Sequence, residues 1–274
     1  MIPKKIHYCW FGGAEMSPFI KKCIDTWKKY LPDYELVLWN EEKFDIDAIP
    51  FVKEAYEAKK WAFVADYVRF YALYIEGGLY FDTDIKVLRT FPDEWLSRGV
   101  FSAHEIHPGL LVPEELDKNF LPAYENGRVD GFSILSAIMG AEKGHPFLKD
   151  CLDIYQNMRF IDSLGNMVDA NEIIIGQVLI RVGLKYNYRF EDVEMIIDNN
   201  MLILPSNILV GNSIHLDEDS YAIHLANGSW VEKGYWDNIL YTTRNNYPVF
   251  YPILNFINKA SKKVKRIIKK FLSK

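Results

Sequence analysis

Cysteine is scarce in this chain: three residues, Cys9, Cys23 and Cys151, among 274. They are scattered, odd in number and form no C-x-x-C pair, so neither a disulfide framework nor a zinc cluster is expected. A reducing compartment is the simpler setting. No apolar run is long enough to span a bilayer. The first residues lead straight into a basic-apolar strand and hold no signal-peptide hydrophobic region. There is no internal repeat. There is also no G-x-G-x-x-G after the first expected strand; Gly12-Gly13 is too short for a dinucleotide fingerprint, which disfavours an NAD enzyme.

Positive charge is missing from most of the chain. The formal net charge is −5. The segment Pro252–Lys274 holds eight basic residues and no acid, so removing it leaves −13 on the rest. A body that acidic lacks the basic footprint of a nucleic-acid binder. In the tail, Ile253, Ile257, Ala260, Val264, Ile267, Ile268 and Phe271 recur at helical steps opposite the lysines. Such a basic amphipathic helix can lie on an anionic membrane surface; the alternative is a helix docked on its own domain. The expected organisation is one domain over 1–245 and a basic amphipathic tail over 246–274.

Hydrophobic (49%) and charged (25%) contents are ordinary globular values. The length suffices for one substantial core. Strands are expected at Lys5–Trp10, Glu35–Trp39, Leu79–Phe81, Ile85–Leu88, Val100–Ala103, Gly131–Met139, Met195–Ile197, Met201–Leu204 and Tyr221–Leu225. Helices are expected from Pro18 to Tyr30 behind a Ser17 cap, over Pro50–Lys60, up to Ile75, over Pro146–Met158 and over Gly176–Val182. The stretch 104–128 reads as a long irregular insertion. Alternation of strands and helices predicts an α/β domain with a largely parallel sheet, whose ligands sit beyond the carboxyl ends of the strands.

The most informative stretch is 61–84, WAFVADYVRFYALYIEGGLYFDTD. An apolar-faced helix carries Asp66 and Arg69 three residues apart, on one face. Alone, such a pair reads as a surface ion pair. Gly77-Gly78 ends the helix, and a short strand then delivers Asp82 and Asp84. In an extended segment alternate side chains share a face, so the two carboxylates can converge. Paired carboxylates suit a divalent cation shared with phosphate oxygens. A lone D-x-D is weak evidence; the order D-x-x-R helix, double glycine, aromatic strand, D-x-D is much stronger.

This stretch resembles the DxD-containing sugar transferases, a family that includes initiating mannosyltransferases and capsular polysaccharide transferases. It is more distantly similar to clostridial toxin glucosylating domains. IPKKIHYCWFGG (2–13) resembles the family's opening strand and loop, and YAIHLANGSW (221–230) its closing segment. The resemblance implies a single Rossmann-like GT-A domain and a metal-dependent, retaining transfer from a nucleotide sugar by front-face attack. A UDP-linked hexose or related sugar is favoured as donor. The implied acceptor is a saccharide, in capsule or other surface polysaccharide synthesis; the lack of a membrane-spanning run and the basic tail suggest that it is lipid-linked and that the enzyme is cytoplasmic, at the inner membrane face.

By the same resemblance Asp84 ligates Mn²⁺ (or Mg²⁺) directly, Asp82 contacts ribose and supports the metal, and His224 is the third ligand. An imidazole ligand favours Mn²⁺. Asp66, Arg69, Asp82 and Asp84 carry the catalytic site. Tyr8 and Trp10 are the base platform, Tyr80 joins the donor side, and Asn227, Ser229 and Trp230 lie near the diphosphate. Asp130 is an acceptor-side candidate. Two steps depart from the pattern: His224 is followed by Leu225 rather than a second histidine, and Ile175-Gly176-Gln177 replaces a T-G-P step. Alternatives are a glycoside hydrolase using Asp82 with Asp66 or Asp130, and a non-catalytic sugar-binding protein at a membrane surface.

Overall fold

The structure is a computed structural model that describes residues 1–124, 129–169 and 173–226. Chain contacts divide the protein into Met1–Ala226 and Asn227–Lys274. The 245/246 boundary, the amphipathic tail and the expected donor residues Asn227, Ser229 and Trp230 lie outside the described residues.

Among the described residues the strands are β1 (Lys5–Cys9), β2 (Glu35–Trp39), β3 (Gly78–Phe81), β4 (Ile85–Val87), β5 (Val100–Ile106), β6 (Phe132–Ile134), β7 (Ile138–Ala141), β8 (Met195–Ile197), β9 (Met201–Leu204), β10 (Leu209–Val210) and β11 (Ala222–His224). The helices are α1 (Pro18–Tyr30), α2 (Pro50–Glu57), α3 (Trp61–Glu76), α4 (Asp93–Leu96), α5 (Pro146–Gln156) and α6 (Ile175–Lys185). The start of α1 follows its local chemistry: the Ser17 hydroxyl accepts from Ile20 N–H and Pro18 takes the first helical position.

The main sheet runs β2-β1-β3-β7-β5-β9-β8, with β6 paired to β5; a second sheet is β10-β11-β4. The fold is α/β, but the sheet is mixed rather than largely parallel. β1 is parallel to β2 and β3, and β5 to β9, whereas β7 is antiparallel to both β3 and β5. The reversal follows from the connection. The chain leaves β5, makes the 107–131 excursion and returns at the end it left, first as β6 and then as β7, both antiparallel to β5.

The expected single strand at Gly131–Met139 is in fact two, β6 and β7, with a break at 135–137. Ser102 spans that break, its hydroxyl reaching Leu135 O at 2.7 Å and Ile138 O at 3.0 Å.

Two apolar clusters pack on the sheet. One holds Phe51, Phe63, Phe70, Phe147, Tyr155 and Leu179 from α2, α3, α5 and α6; the other holds Ile20, Trp27, Phe91 and Trp95 from α1, α4 and the loop before α4. All four residues of β3 are buried, as expected for a strand covered on both faces. The glycine pair that links α3 to β3 is needed twice over. Gly77 and Gly78 have φ of 68° and 117°. A Cβ on Gly77 would lie 2.8 Å from Lys143 N, and one on Gly78 2.9 Å from Lys5 O.

Candidate functional site

β1 and β3 are parallel neighbours in the register Ile6↔Leu79 and His7↔Tyr80. Continuing that register sets Cys9 beside Asp82 and brings Trp10 to the same sheet edge. This is the carboxyl end of two adjacent parallel strands, where α/β sheets bind ligands. Asp82 leaves β3 with its N–H bonded to Ala137 O at 2.9 Å, and its carbonyl accepts from Ile85 N–H at 3.0 Å. The D-x-D therefore sits in a closed turn leading into β4.

Arg69 comes to this edge from α3. It is buried with Asp66, at 4% and 7% exposure, so the pair is not the surface ion pair that its spacing alone suggests. Arg69 Nη2 lies 2.7 Å from Asp66 Oδ1 and 3.4 Å from Asp82 Oδ1. Its Nη1 donates to Ser136 O at 2.9 Å, and the Tyr80 hydroxyl donates to Asp82 Oδ1 at 2.9 Å. One guanidinium thus serves two carboxylates and a main-chain carbonyl, a use of its forked donors that Lys cannot copy. Burial pushes the Asp66 carboxyl up to about 7, against the pull of Arg69, and the Asp82 charge adds to the rise. Burial works against the Arg69 charge as well, but Asp82, Tyr80 and Asp66 outweigh it and hold the guanidinium firmly protonated. The Cys9 thiol is pushed up to about 12 by burial, so it stays protonated.

His224 reaches the site through the second sheet. β11 pairs antiparallel with β4, setting His224 opposite Ile85, and Leu225 N–H donates to Asp84 O at 3.2 Å. The result is His224 Nε2 at 3.2 Å from Asp84 Oδ1. Burial opposes the imidazolium, but the bond to Asp84 and the charges of Asp84, Asp82 and Glu105 raise its pKa to about 9. The contact puts His224, the expected third ligand, beside Asp84, the expected direct ligand. Without a metal the imidazole is the protonated partner of Asp84; a cation bound to Asp84 would compete with that proton. Among the described residues no group of three or more His, Cys, Asp or Glu side chains is set to hold a metal ion. Asp82 and Asp84 still offer the hard carboxylate oxygens that fit Mg²⁺ or Mn²⁺ shared with a diphosphate.

Tyr8 and Trp10 are half-buried and pack on the α1 side of the core. The Tyr8 ring lies 5.6 Å from Trp27, edge-on, and the Trp10 indole N–H donates to Ala14 O at 2.6 Å. Each ring is anchored on one side and partly open, as a stacking platform requires. Asp130 lies just before β6, its N–H donating to Glu115 Oε2 at 2.6 Å.

One group went unnoticed in the sequence. Glu105, near the end of β5, accepts from the Ser133 hydroxyl at 3.3 Å and lies 3.6 Å from His107 Nε2. Asn212 Nδ2 is 3.4 Å from His107 Nδ1. Burial works against the Glu105 charge, but His107, His224 and Ser133 outweigh it and draw the carboxyl below its ordinary range. The only signal available was the alternation of Glu105 and His107 along a strand.

Residues 18–102 match the family described as glycosyltransferase sugar-binding region containing DXD motif. The chain is 30% identical over 164 residues to inositol phosphoceramide mannosyltransferase 3 of Schizosaccharomyces pombe, covering 57% of this chain and 37% of that protein. It is 26% identical over 161 residues to the initiation-specific alpha-1,6-mannosyltransferase of Candida albicans, covering 55% of this chain and 41% of that protein. Among solved structures, the PaToxG glycosyltransferase aligns with a TM-score of 0.46 at 19% identity, over 67% of this chain and 69% of that one. The chain thus spans about two-fifths of the length of the curated relatives it matches, at 37% and 41%. The matched region contains Asp66, Arg69, Asp82 and Asp84, and through it this chain is related to the DXD-containing sugar transferases.

Proposed function

We propose that the chain is a divalent-metal-dependent, retaining glycosyltransferase of GT-A type that moves a hexose from a nucleotide sugar to a saccharide. One observation carries the reading: a buried guanidinium, shared by Asp66 and Asp82, at the carboxyl ends of β1 and β3 where the D-x-D turn begins. An ion pair that served stability alone would gain little from burial, because desolvating the charges costs about as much as their attraction returns. Here the burial holds Asp82 in one place beside the second carboxylate.

The residues divide the work. Trp10 and Tyr8 stack the base, for which uridine is our choice. Asp82, fixed by Arg69 and Tyr80, orients the ribose and sugar. A divalent cation held by Asp82 and Asp84 supplies charge neutralisation for the departing diphosphate. His224, 3.2 Å from Asp84 Oδ1, completes the cation's ligands as a neutral imidazole or, where it keeps its proton, adds positive charge near the leaving group. Two mannosyltransferases among the relatives make GDP-mannose the competing donor. The acceptor we propose is lipid-linked, within surface polysaccharide synthesis. Residues 252–274 would hold the enzyme on the cytoplasmic membrane face.

A thermal-shift screen of UDP, GDP and other nucleoside diphosphates, with and without Mn²⁺ or Mg²⁺, tests the reading. A ligand that binds only the native state raises apparent stability. A melting rise with one nucleotide that requires the metal is expected. No shift with any pair would sink the transferase reading.

A further inference from the structure

The sheet directions place a second polar group on the edge that carries the D-x-D. β7 is antiparallel to both β3 and β5, so β3 and β5 run the same way and end at the same edge. Glu105 stands at that end of β5, as Asp82 stands at the end of β3. The β5–β6 register pairs Glu105 with Ser133 and Ile106 with Phe132. Ile106 and Phe132 are buried in the core, which assigns Glu105 and Ser133 to the other face. The Glu105 carboxylate is held on three sides: Ser133 Oγ at 3.3 Å, His107 Nε2 at 3.6 Å, and the main chain at Gly211, where an added Cβ would come 3.0 Å from Glu105 Cγ. It is still open, with 20% of the Glu105 side chain and 43% of that of His107 exposed. Its charge is felt at His224, the partner of Asp84.

The chemistry of the group is selective. An ionised carboxylate accepts hydrogen bonds only, and it repels phosphate. Beside it stand a hydroxyl, an imidazole and, from Asn212, a side-chain amide. This set is complementary to the hydroxyls of an uncharged saccharide, and its negative charge disfavours a diphosphate. We propose that Glu105, positioned by Ser133 and His107, binds a hydroxyl of the acceptor sugar and thereby sets acceptor choice. The assignment to an acceptor rests on the transferase reading above; the sugar-binding chemistry of the group does not.

Two measurements separate these. In the first, Glu105→Gln is compared with the wild-type full chain in steady-state transfer, varying donor and acceptor in turn. A charge-assisted hydrogen bond corresponds to roughly 10- to 100-fold in affinity. The acceptor KM should rise about tenfold or more, while the donor KM stays within about twofold. His107→Asn should give a smaller rise in the same parameter, since it acts through the carboxylate. In the second, binding of methyl hexopyranosides to both proteins is followed by saturation-transfer NMR with no nucleotide present, and melting temperatures confirm that each variant is folded. Wild type should bind at least one glycoside that Glu105→Gln does not.

If wild type binds glycosides through Glu105 but binds and cleaves no nucleotide sugar, the transferase reading falls and the sugar subsite stands. If folded Glu105→Gln keeps wild-type acceptor KM and glycoside binding, the subsite is overturned. An equal rise in donor and acceptor KM also overturns it, by showing that Glu105 supports the whole site.

Discussion

The Arg69 guanidinium carbon sits 4.7 Å from the centre of the Tyr80 ring, over the same residue whose hydroxyl donates to Asp82. Tyr80 therefore contacts both ends of the Arg69–Asp82 pair. Removing only its hydroxyl, in Tyr80→Phe, keeps the ring under the guanidinium and frees one side of Asp82. Turnover should drop about tenfold and stability by about 1 kcal/mol, the usual net worth of one hydrogen bond. Donor-dependent turnover and urea unfolding check it. Unchanged kinetics would show that Asp82 needs no support from Tyr80.

Arg69→Lys tests whether the fork or the charge matters. A lysine keeps the charge but cannot reach Asp66, Asp82 and Ser136 O together. Transfer should fall by roughly 100-fold or more, a barrier rise of about 3 kcal/mol, with circular dichroism unchanged. A fully active Arg69→Lys would reduce the site's requirement to a single positive charge.

The His224–Asp84 contact should give stability a pH signature. The folded pKa of His224, about 9, lies above its ordinary value of 6.5. Its contribution is therefore complete below pH 6.5 and is lost as pH rises through about 9. The shift corresponds to an upper limit on the order of 3 kcal/mol. Urea unfolding of wild type and His224→Gln in metal-free buffer between pH 6 and 10 should show the two curves converging as alkalinity increases. A gap that does not change with pH would mean that His224 is neutral throughout.

Trp10→Ala should weaken nucleoside diphosphate binding by about 1–3 kcal/mol, the range for stacking one base on an aromatic ring. The metal dependence should persist, because Asp82 and Asp84 are untouched. Calorimetric titration with UDP measures it. An unaltered affinity would return Trp10 to a purely structural role.

What the sequence revealed, and what it hid, divides by range. Ser17 and Pro18 announce α1, and α1 starts there because the cap is a contact three residues long. Gly77-Gly78 announces the end of α3 for an equally local reason, its positive φ angles. The D-x-D and D-x-x-R spacings carry over directly into the cluster at the ends of β1 and β3. The meeting of His224 with Asp84 was legible only through the resemblance of the closing segment, because their contact is made by β11–β4 pairing. Glu105 was missed for the same reason: its place beside the site depends on β7 reversing between β3 and β5. That reversal is set by where the 107–131 excursion returns, which no periodicity within the strands records.

The break between β6 and β7 has a consequence for genetics. Two of the partners that fix the edge carrying the D-x-D are main-chain oxygens, Ser136 O for Arg69 and Ala137 O for the Asp82 amide. Any residue placed at 136 or 137 brings the same carbonyl. Selection acting on side chains can therefore let the half-buried Ser136 drift while its carbonyl stays in place, whereas Ala137, 2% exposed in the core, is kept small by packing. A substitution scan would score position 136 as tolerant, although one residue inserted or deleted between Leu135 and Ile138 would move both oxygens and dismantle the Arg69–Asp82 arrangement.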